Sequence, residues 1–239
     1  MDNFAGKIAV ITGGGSAWAL SWPASSARRL PPRVVHLGAD ALAETKRLCE
    51  GSAPNAIRVT THLCDVAEEA QVMAFRDAVV AEHRTEHVNL FFNNAGIGGG
   101  GSFLRDSPEQ WEKTFDVCWY GVYFGSRAFL PLLVASSQGH LVNTSSVNGF
   151  WASAGPNRPH TAYAAAKFAV KGFSEALVTE LRNLAPHVLV CVVMSGHIGT
   201  SILANRVLDQ MVRDTPEEAY EASFAERLGE LGVLRGILE

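Results

Sequence analysis

His140-Leu-Val-Asn-Thr144 runs into Ser145-Ser146, and a helical pattern then opens as Thr161-Ala162-Tyr163-Ala164-Ala165-Ala166-Lys167 and continues to Leu184. A further apolar stretch follows at Val188–Met194. A strand, a helix long enough to cross back, and another strand make a βαβ unit, which predicts a parallel sheet with right-handed crossovers. Within the helix, Tyr163 and Lys167 stand four residues apart, which is one turn and therefore one face. An ammonium beside a phenol favours the phenolate and so brings proton exchange closer to neutral pH. A hydroxyl from Ser146 is placed to hold a carbonyl oxygen against that phenol. The set suits proton transfer to or from an alcohol or ketone oxygen, with a hydride carrier bound alongside. A Tyr/Lys pair at helical spacing is also common on solvated faces, so the reading rests on the other segments falling in order.

Outward from this unit the alternation persists. Lys7–Thr12 reads as a buried strand entering a glycine loop, Arg33–Leu37 as a second strand and Ala39–Glu50 as a helix. Ile57–Leu63 is a third strand ending at Asp65-Val66, Ala67–Arg84 a helix, and Val88–Phe92 a strand running into Asn93-Asn94-Ala95-Gly96. Pro108 opens a helix that passes through Trp111 and Phe115, a position proline tolerates. Val117–Leu133 reads as a long helix with small residues Gly121, Gly125 and Ala128 on one face. Leu231–Leu238 is the remaining candidate strand. The expected fold is α/β: a single three-layer domain over residues 1–239, built on a doubly wound parallel sheet. A helical substrate-loop region is expected at about 197–225. In such sheets ligands bind beyond the carboxyl ends of the strands. Gly13, Asp65, Asn93–Gly96, Ser145-Ser146 and Ser195-Gly196 all fall at such ends.

Composition narrows the class. The 239 residues are 47% apolar and 18% charged with a net charge of −4, which suits one sizeable core and argues against nucleic acid as a partner. No apolar run in the sequence reads as membrane-spanning. The four cysteines, Cys49, Cys64, Cys118 and Cys191, are widely spaced, as expected for reduced thiols in a cytoplasmic protein. The eight histidines form no metal-ligand motif.

The order of these motifs resembles the short-chain dehydrogenase/reductase family. The matching pieces are Thr12-Gly13-Gly14-Gly15-Ser16, Asp65-Val66, Asn93-Asn94-Ala95-Gly96, Asn143-Thr144-Ser145-Ser146, Tyr163 to Lys167, and Gly196-His197-Ile198-Gly199-Thr200. The resemblance implies a Rossmann-type fold, an NAD or NADP cofactor and hydride exchange with a small-molecule secondary alcohol or ketone. It implies Tyr163 as general acid or base, Lys167 as its partner and holder of the nicotinamide ribose, and Ser146 as the group that positions the substrate oxygen. It further implies Gly13 and Ser16 at the diphosphate, Asp65 and Val66 at the adenine, Asn94, Ala95 and Gly96 along the cleft, and Ile198 and Thr200 at the nicotinamide amide. A homodimer or homotetramer is expected through the helices Val117–Leu133 and Thr161–Leu184.

The chain also departs from the family pattern. Ala17-Trp18-Ala19 stand where further glycines are usual, and Trp22-Pro23 follow where a helix is expected; proline inside a helix costs about 3 kcal/mol. A local change of reading frame over Ala17–Ser26 and a divergent loop are the two accounts, and the nucleotide sequence of the gene separates them. Gly38 takes the place of the usual acidic residue after the second strand, leaving Asp40 as the nearest carboxylate, which with the net acidic charge leans the cofactor choice toward NAD. Cys118 takes the place of an asparagine in the proton relay, and Ser195 that of a proline. The altered loop and Cys118 motivate an alternative, a catalytically impaired relative that keeps the fold and binds cofactor weakly or not at all. Phe150, Trp151, Ile202 and Leu203 hint at an apolar substrate, or serve as core or subunit contacts.

Overall fold

A computed structural model describes residues 6–14, 32–35, 39–52, 58–99, 101–152 and 160–196, which lie in a unit formed by residues 1–196. Its elements are β1 (Ala9–Thr12), β2 (Pro32–Val35), α1 (Ala39–Ser52), β3 (Thr61–His62), α2 (Glu69–His83), β4 (Leu90–Asn93), α3 (Pro108–Phe115), a π-helical turn (Asp116–Tyr120), α4 (Gly121–Val134), β5 (Gly139–Thr144), a 3-10 turn (Val147–Gly149), α5 (Thr161–Leu184) and β6 (Val188–Val193). The six strands are parallel in the order β3-β2-β1-β4-β5-β6. The chain steps outward in one direction from β1 to β3, then returns to the other side of β1 with β4. That reversal opens a crevice at the carboxyl ends of β1 and β4, the place such sheets bind ligands.

The central strands β1 and β4 are buried at every position, hence on both faces, which is why they read as continuous apolar runs. Val10, Phe91 and Leu141 point to one face, where they pack with Val79 of α2, Phe129 and Leu133 of α4, and Leu177 and Leu181 of α5. Phe91 and Phe129 stack with centroids 4.3 Å apart; burial of each ring is worth about 1.5–3 kcal/mol. Ala9, Ile11, Leu90 and Phe92 alternate to the other face.

Local signals set the helix ends. Ser107 caps α3 by accepting from the Gln110 N–H, with Pro108 at the first helical positions. The α2 helix begins two residues later than the sequence predicts, because Asp65 Oδ1 accepts the Ala67 N–H at 3.0 Å and holds a turn there. It ends at Arg84, which adopts a left-handed conformation. β3 is shorter than the predicted Ile57–Leu63: only Thr61 and His62 pair, with Val34 and Val35, and residue 57 lies outside the described residues. The predicted long helix from Val117 is instead the end of a continuous helical run from Pro108 to Val134, widened at Asp116–Tyr120, where the Gly121 N–H reaches back to the Asp116 carbonyl. This run corrects the expectation about membrane-spanning length: its 27 residues are long and apolar enough, but half of its apolar window is buried in the protein, as in a core helix. The single-domain expectation through residue 239, the helical region at about 197–225 and the candidate strand Leu231–Leu238 extend outside the described residues.

Candidate active site

Thr12, the last residue of β1, clamps the crevice. Its buried hydroxyl donates to the Phe92 carbonyl at 3.3 Å and accepts the N–H groups of Asn94 at 3.0 Å and Ala95 at 3.1 Å. Asn94 returns its side-chain amide to the Thr12 carbonyl at 3.0 Å. The loops after β1 and β4 are therefore tied to each other by these bonds. Gly13 turns between them with φ +68, and a β-carbon there would stand 2.7 Å from the Ala95 Cα, so the position requires glycine on both counts. Asn93 lies below the crevice floor, where its amide donates to Asn143 Oδ1 at 2.8 Å and the Asn143 amide donates to Ser174 Oγ at 2.9 Å. That chain ties β4 and β5 to α5, which is a bracing role.

The Tyr163 helix is stitched to the end of β5 at Lys167. Ala162, Ala166, Val170, Ser174, Leu177 and Leu181 form the buried stripe of α5, and Lys167 is drawn in beside it at 3% exposure. Its ammonium donates to the Thr144 carbonyl at 2.8 Å and lies 5.5 Å from the Tyr163 ring centroid, within cation–π range. Ser145 Oγ donates to the Lys167 carbonyl at 2.8 Å. Ser146 caps the following 3-10 turn: its hydroxyl accepts from the Asn148 N–H at 3.2 Å and donates to the Ser195 carbonyl at 3.4 Å. The same Ser195 carbonyl accepts the Val147 N–H at 2.9 Å, and Ser195 Oγ makes a 3.5 Å contact with the Ser145 carbonyl. The Ser195 carbonyl thus joins the ends of β5 and β6, a bond proline could also accept, and the serine side chain adds only the long Oγ contact.

The arrangement brings Gly96, Cys118, Tyr163 and Lys167 together, and Ser146 follows Ser145, which is bonded to the Lys167 carbonyl. A β-carbon at Gly96 would lie 3.6 Å from Lys167 Nζ and 3.8 Å from Cys118 Sγ, so all three residues converge. The π-helical turn aims the buried Cys118 thiol at the Ile97 carbonyl, 3.4 Å away. Asp65 and Val66 follow β3, outside this group: one carboxylate oxygen of Asp65 accepts the Ala67 N–H, and the Val66 side chain packs in the core against Gly121. Asp40 is exposed in the first turn of α1. Ser16, Ile198 and Thr200 lie outside the described residues, as do Ala17, Ala19 and Pro23. Thr12, Ser145 and Asn143 carry more of the construction than their place in the motifs suggests; their only sequence signal is adjacency to Gly13, Ser146 and Thr144.

The described residues fit the ribose and nicotinamide end of a dinucleotide. A side chain at Gly96 would occupy the space beside the Lys167 ammonium, and glycine leaves it open. An ammonium carries three donors, and one of them goes to Thr144. Among the described residues no group of three or more histidine, cysteine or acidic side chains is placed to hold a metal ion.

Comparison with known proteins agrees with this fold. The family model for short chain dehydrogenase matches residues 7–211. SadH of Mycobacterium tuberculosis, an oxidoreductase by name, is 38% identical over 231 residues, spanning 95% of this chain and 78% of the relative. The crystal structure of a short-chain dehydrogenase/reductase from Burkholderia phymatum in complex with NAD is similar at TM-score 0.77 and 30% identity, covering 99% of this chain and 81% of that one. A metagenomic short-chain oxidoreductase in complex with NADP matches at TM-score 0.70 and 25% identity, covering 82% and 84%. This chain belongs to the short-chain dehydrogenase/reductase family. It is an NAD(P)-dependent oxidoreductase built on a Rossmann-type parallel sheet.

Proposed function

We propose that this enzyme interconverts a secondary alcohol and a ketone, with Tyr163 carrying the proton. The observation that supports this most is the joining of Tyr163, Lys167 and Ser146 through Thr144 and Ser145. The chemistry a bound NAD(P) supplies is exchange of a hydride with the carbinol carbon. Tyr163 gives its phenolic proton to the ketone oxygen in reduction and takes the alcohol proton in oxidation. The Lys167 ammonium stabilises the phenolate between these steps and offers N–H groups to ribose hydroxyls. Ser146 rotates its hydroxyl from the long Ser195 contact to hold the substrate oxygen. Along the cleft, Gly13, Asn94, Ala95 and Gly96 shape the cofactor floor. Ser16, Asp65, Val66, Ile198 and Thr200 complete the cofactor contacts in this reading, and Asp40 leans the choice toward NAD. Deuteride transfer tests the reaction class: a ketone incubated with 4,4-dideuterated NADH or NADPH should yield an alcohol labelled at the carbinol carbon. Unlabelled alcohol would exclude direct hydride transfer.

Cys118 supports a second reading, an impaired relative, because the group at the Ile97 carbonyl is a thiol, a weaker hydrogen-bonding partner than an amide. Cofactor binding without turnover of any carbonyl would favour it. The enzyme is proposed to be cytoplasmic, in keeping with its four free cysteines, and to pair through α4 and α5 as a homodimer or homotetramer. Tyr120 and Phe168, on or beside those helices, are 41% and 45% exposed and offer apolar contact. Sedimentation velocity at micromolar concentration should show a dimer or tetramer; a monomer would contradict the assembly.

A further inference from the structure

Four large apolar side chains are left in solvent on two segments that flank Tyr163: Phe103 at 73% exposure, Leu104 at 93%, Phe150 at 71% and Trp151 at 69%. Single exposed apolar residues need no explanation. Two adjacent pairs, each fastened to the same helix, call for one.

Both segments are held by specific bonds. The Gly101 carbonyl accepts the Thr161 N–H at 3.1 Å and the Thr161 hydroxyl at 3.2 Å, and Trp111 Nε1 donates to that hydroxyl at 3.0 Å. Phe103 then rests edge-on against Trp111, with centroids 6.5 Å apart. On the other segment the Trp151 N–H donates to the Val147 carbonyl at 2.7 Å, and the Asn148 amide donates to the Trp151 carbonyl at 3.2 Å. That turn presses on α5 so closely that a β-carbon on Gly149 would collide with Ser145 Oγ and the Lys167 backbone. The two fastening points, Thr161 and Lys167, are six residues apart, or roughly 9 Å along the helix at 1.5 Å per residue. Tyr163 lies between them. Along α5 the fastening points of the two apolar pairs therefore lie on either side of the proton-carrying residue, and the hydrogen bonds that hold both segments reduce the conformational entropy lost on covering them.

We infer that the substrate carries its carbonyl or carbinol carbon on an extended apolar body, a long alkyl chain or fused-ring skeleton, which covers Phe103, Leu104, Phe150 and Trp151. This rests on the assignment of Tyr163 above. A short polar substrate would leave these side chains in water, whereas a long apolar one removes its own surface and theirs together.

The test is a homologous series of methyl ketones from butanone to 2-dodecanone, assayed with NADH and with NADPH. Each added methylene should raise kcat/KM about two- to fourfold until the apolar rim is covered, since a fully buried methylene corresponds to about fourfold. The double variant Phe150→Ser/Trp151→Ser should flatten that dependence. A flat series in the unaltered enzyme, or an unchanged slope in the double variant, overturns the inference. If the double variant keeps the slope but changes the sedimentation coefficient, the pair is a subunit contact and the inference is likewise overturned. Binding of 2-dodecanol against 2-butanol to Tyr163→Phe, followed by tryptophan emission, separates this inference from the reaction assignment. Tighter binding of the longer alcohol there supports the apolar site whatever Tyr163 does, and equal binding overturns it. Full turnover by Tyr163→Phe would sink the reaction assignment alone.

Discussion

His140 is a half-buried imidazole outside the crevice, on β5, and its buried Nε2 has no hydrogen-bond partner among the described residues. Burial disfavours the charged ring and lowers its pKa from the ordinary 6.5. As pH falls below about 6.5 the unfolded chain takes the proton first, so stability declines through the window between the two pKa values. Above that window the residue contributes no pH dependence. Urea unfolding at pH 7.5 and 5.5 should show lower stability at the acid value, and His140→Leu should shrink the difference. An unchanged difference would show that other groups set the acid limb. The buried thiols of Cys49 and Cys64 are pushed up to about 11, chiefly by burial. That suits packing rather than redox chemistry.

At the level of elements, the central strands were legible as buried apolar runs and the α5 helix because it keeps one period over enough residues, whereas β3 proved much shorter than its apolar run. Thr161–Leu184 is both the predicted and the observed span of α5, since its apolar positions recur at three and four residues throughout. The widened turn at Asp116–Tyr120 was not legible. Its i to i+5 bonding accompanies a contact across the fold, the backbone of Gly121 against Val66, where a β-carbon would lie 2.7 Å from Val66 Cγ2. The Thr12 clamp was hidden for a similar reason: its partners Phe92, Asn94 and Ala95 are 80 or more residues away. The clamp makes the β1 loop sensitive to a single methyl group. Gly13→Ala should destabilise the protein by at least about 1 kcal/mol, from left-handed strain alone, and should weaken cofactor binding as the loop parts from Ala95. Urea unfolding and cofactor titration read the two effects; retention of both stability and affinity would mean the two loops are not coupled as described.

Across the whole described unit, the strand order explains why motifs scattered from residue 12 to residue 195 act together. Reversal of direction after β3 brings the ends of β1, β4 and β5 side by side, and α5 closes over them with Lys167 as the stitch. Of the proposed site, the sequence offered residue identities: Ser146, Tyr163 and Lys167 bring a hydroxyl, a phenol and an ammonium in chain order, and the reading rested on the other segments falling in place around them. How they are joined was not legible, since it depends on the Thr144 carbonyl and the Ser145 hydroxyl, neither of which a motif distinguishes from its neighbours. The choice between NAD and NADP had no residue to decide it, because Gly38 offers no side chain at the usual position.

The central claim is that the Tyr163 hydroxyl, partnered by Lys167, carries the proton. The most direct measurement compares Tyr163→Phe with the unaltered enzyme for kcat of ketone reduction and for cofactor dissociation constant in one preparation. Loss of general acid catalysis predicts a fall in kcat of about 10²–10⁴-fold, with cofactor affinity within about twofold. A variant that keeps more than about a tenth of the original kcat would contradict the account.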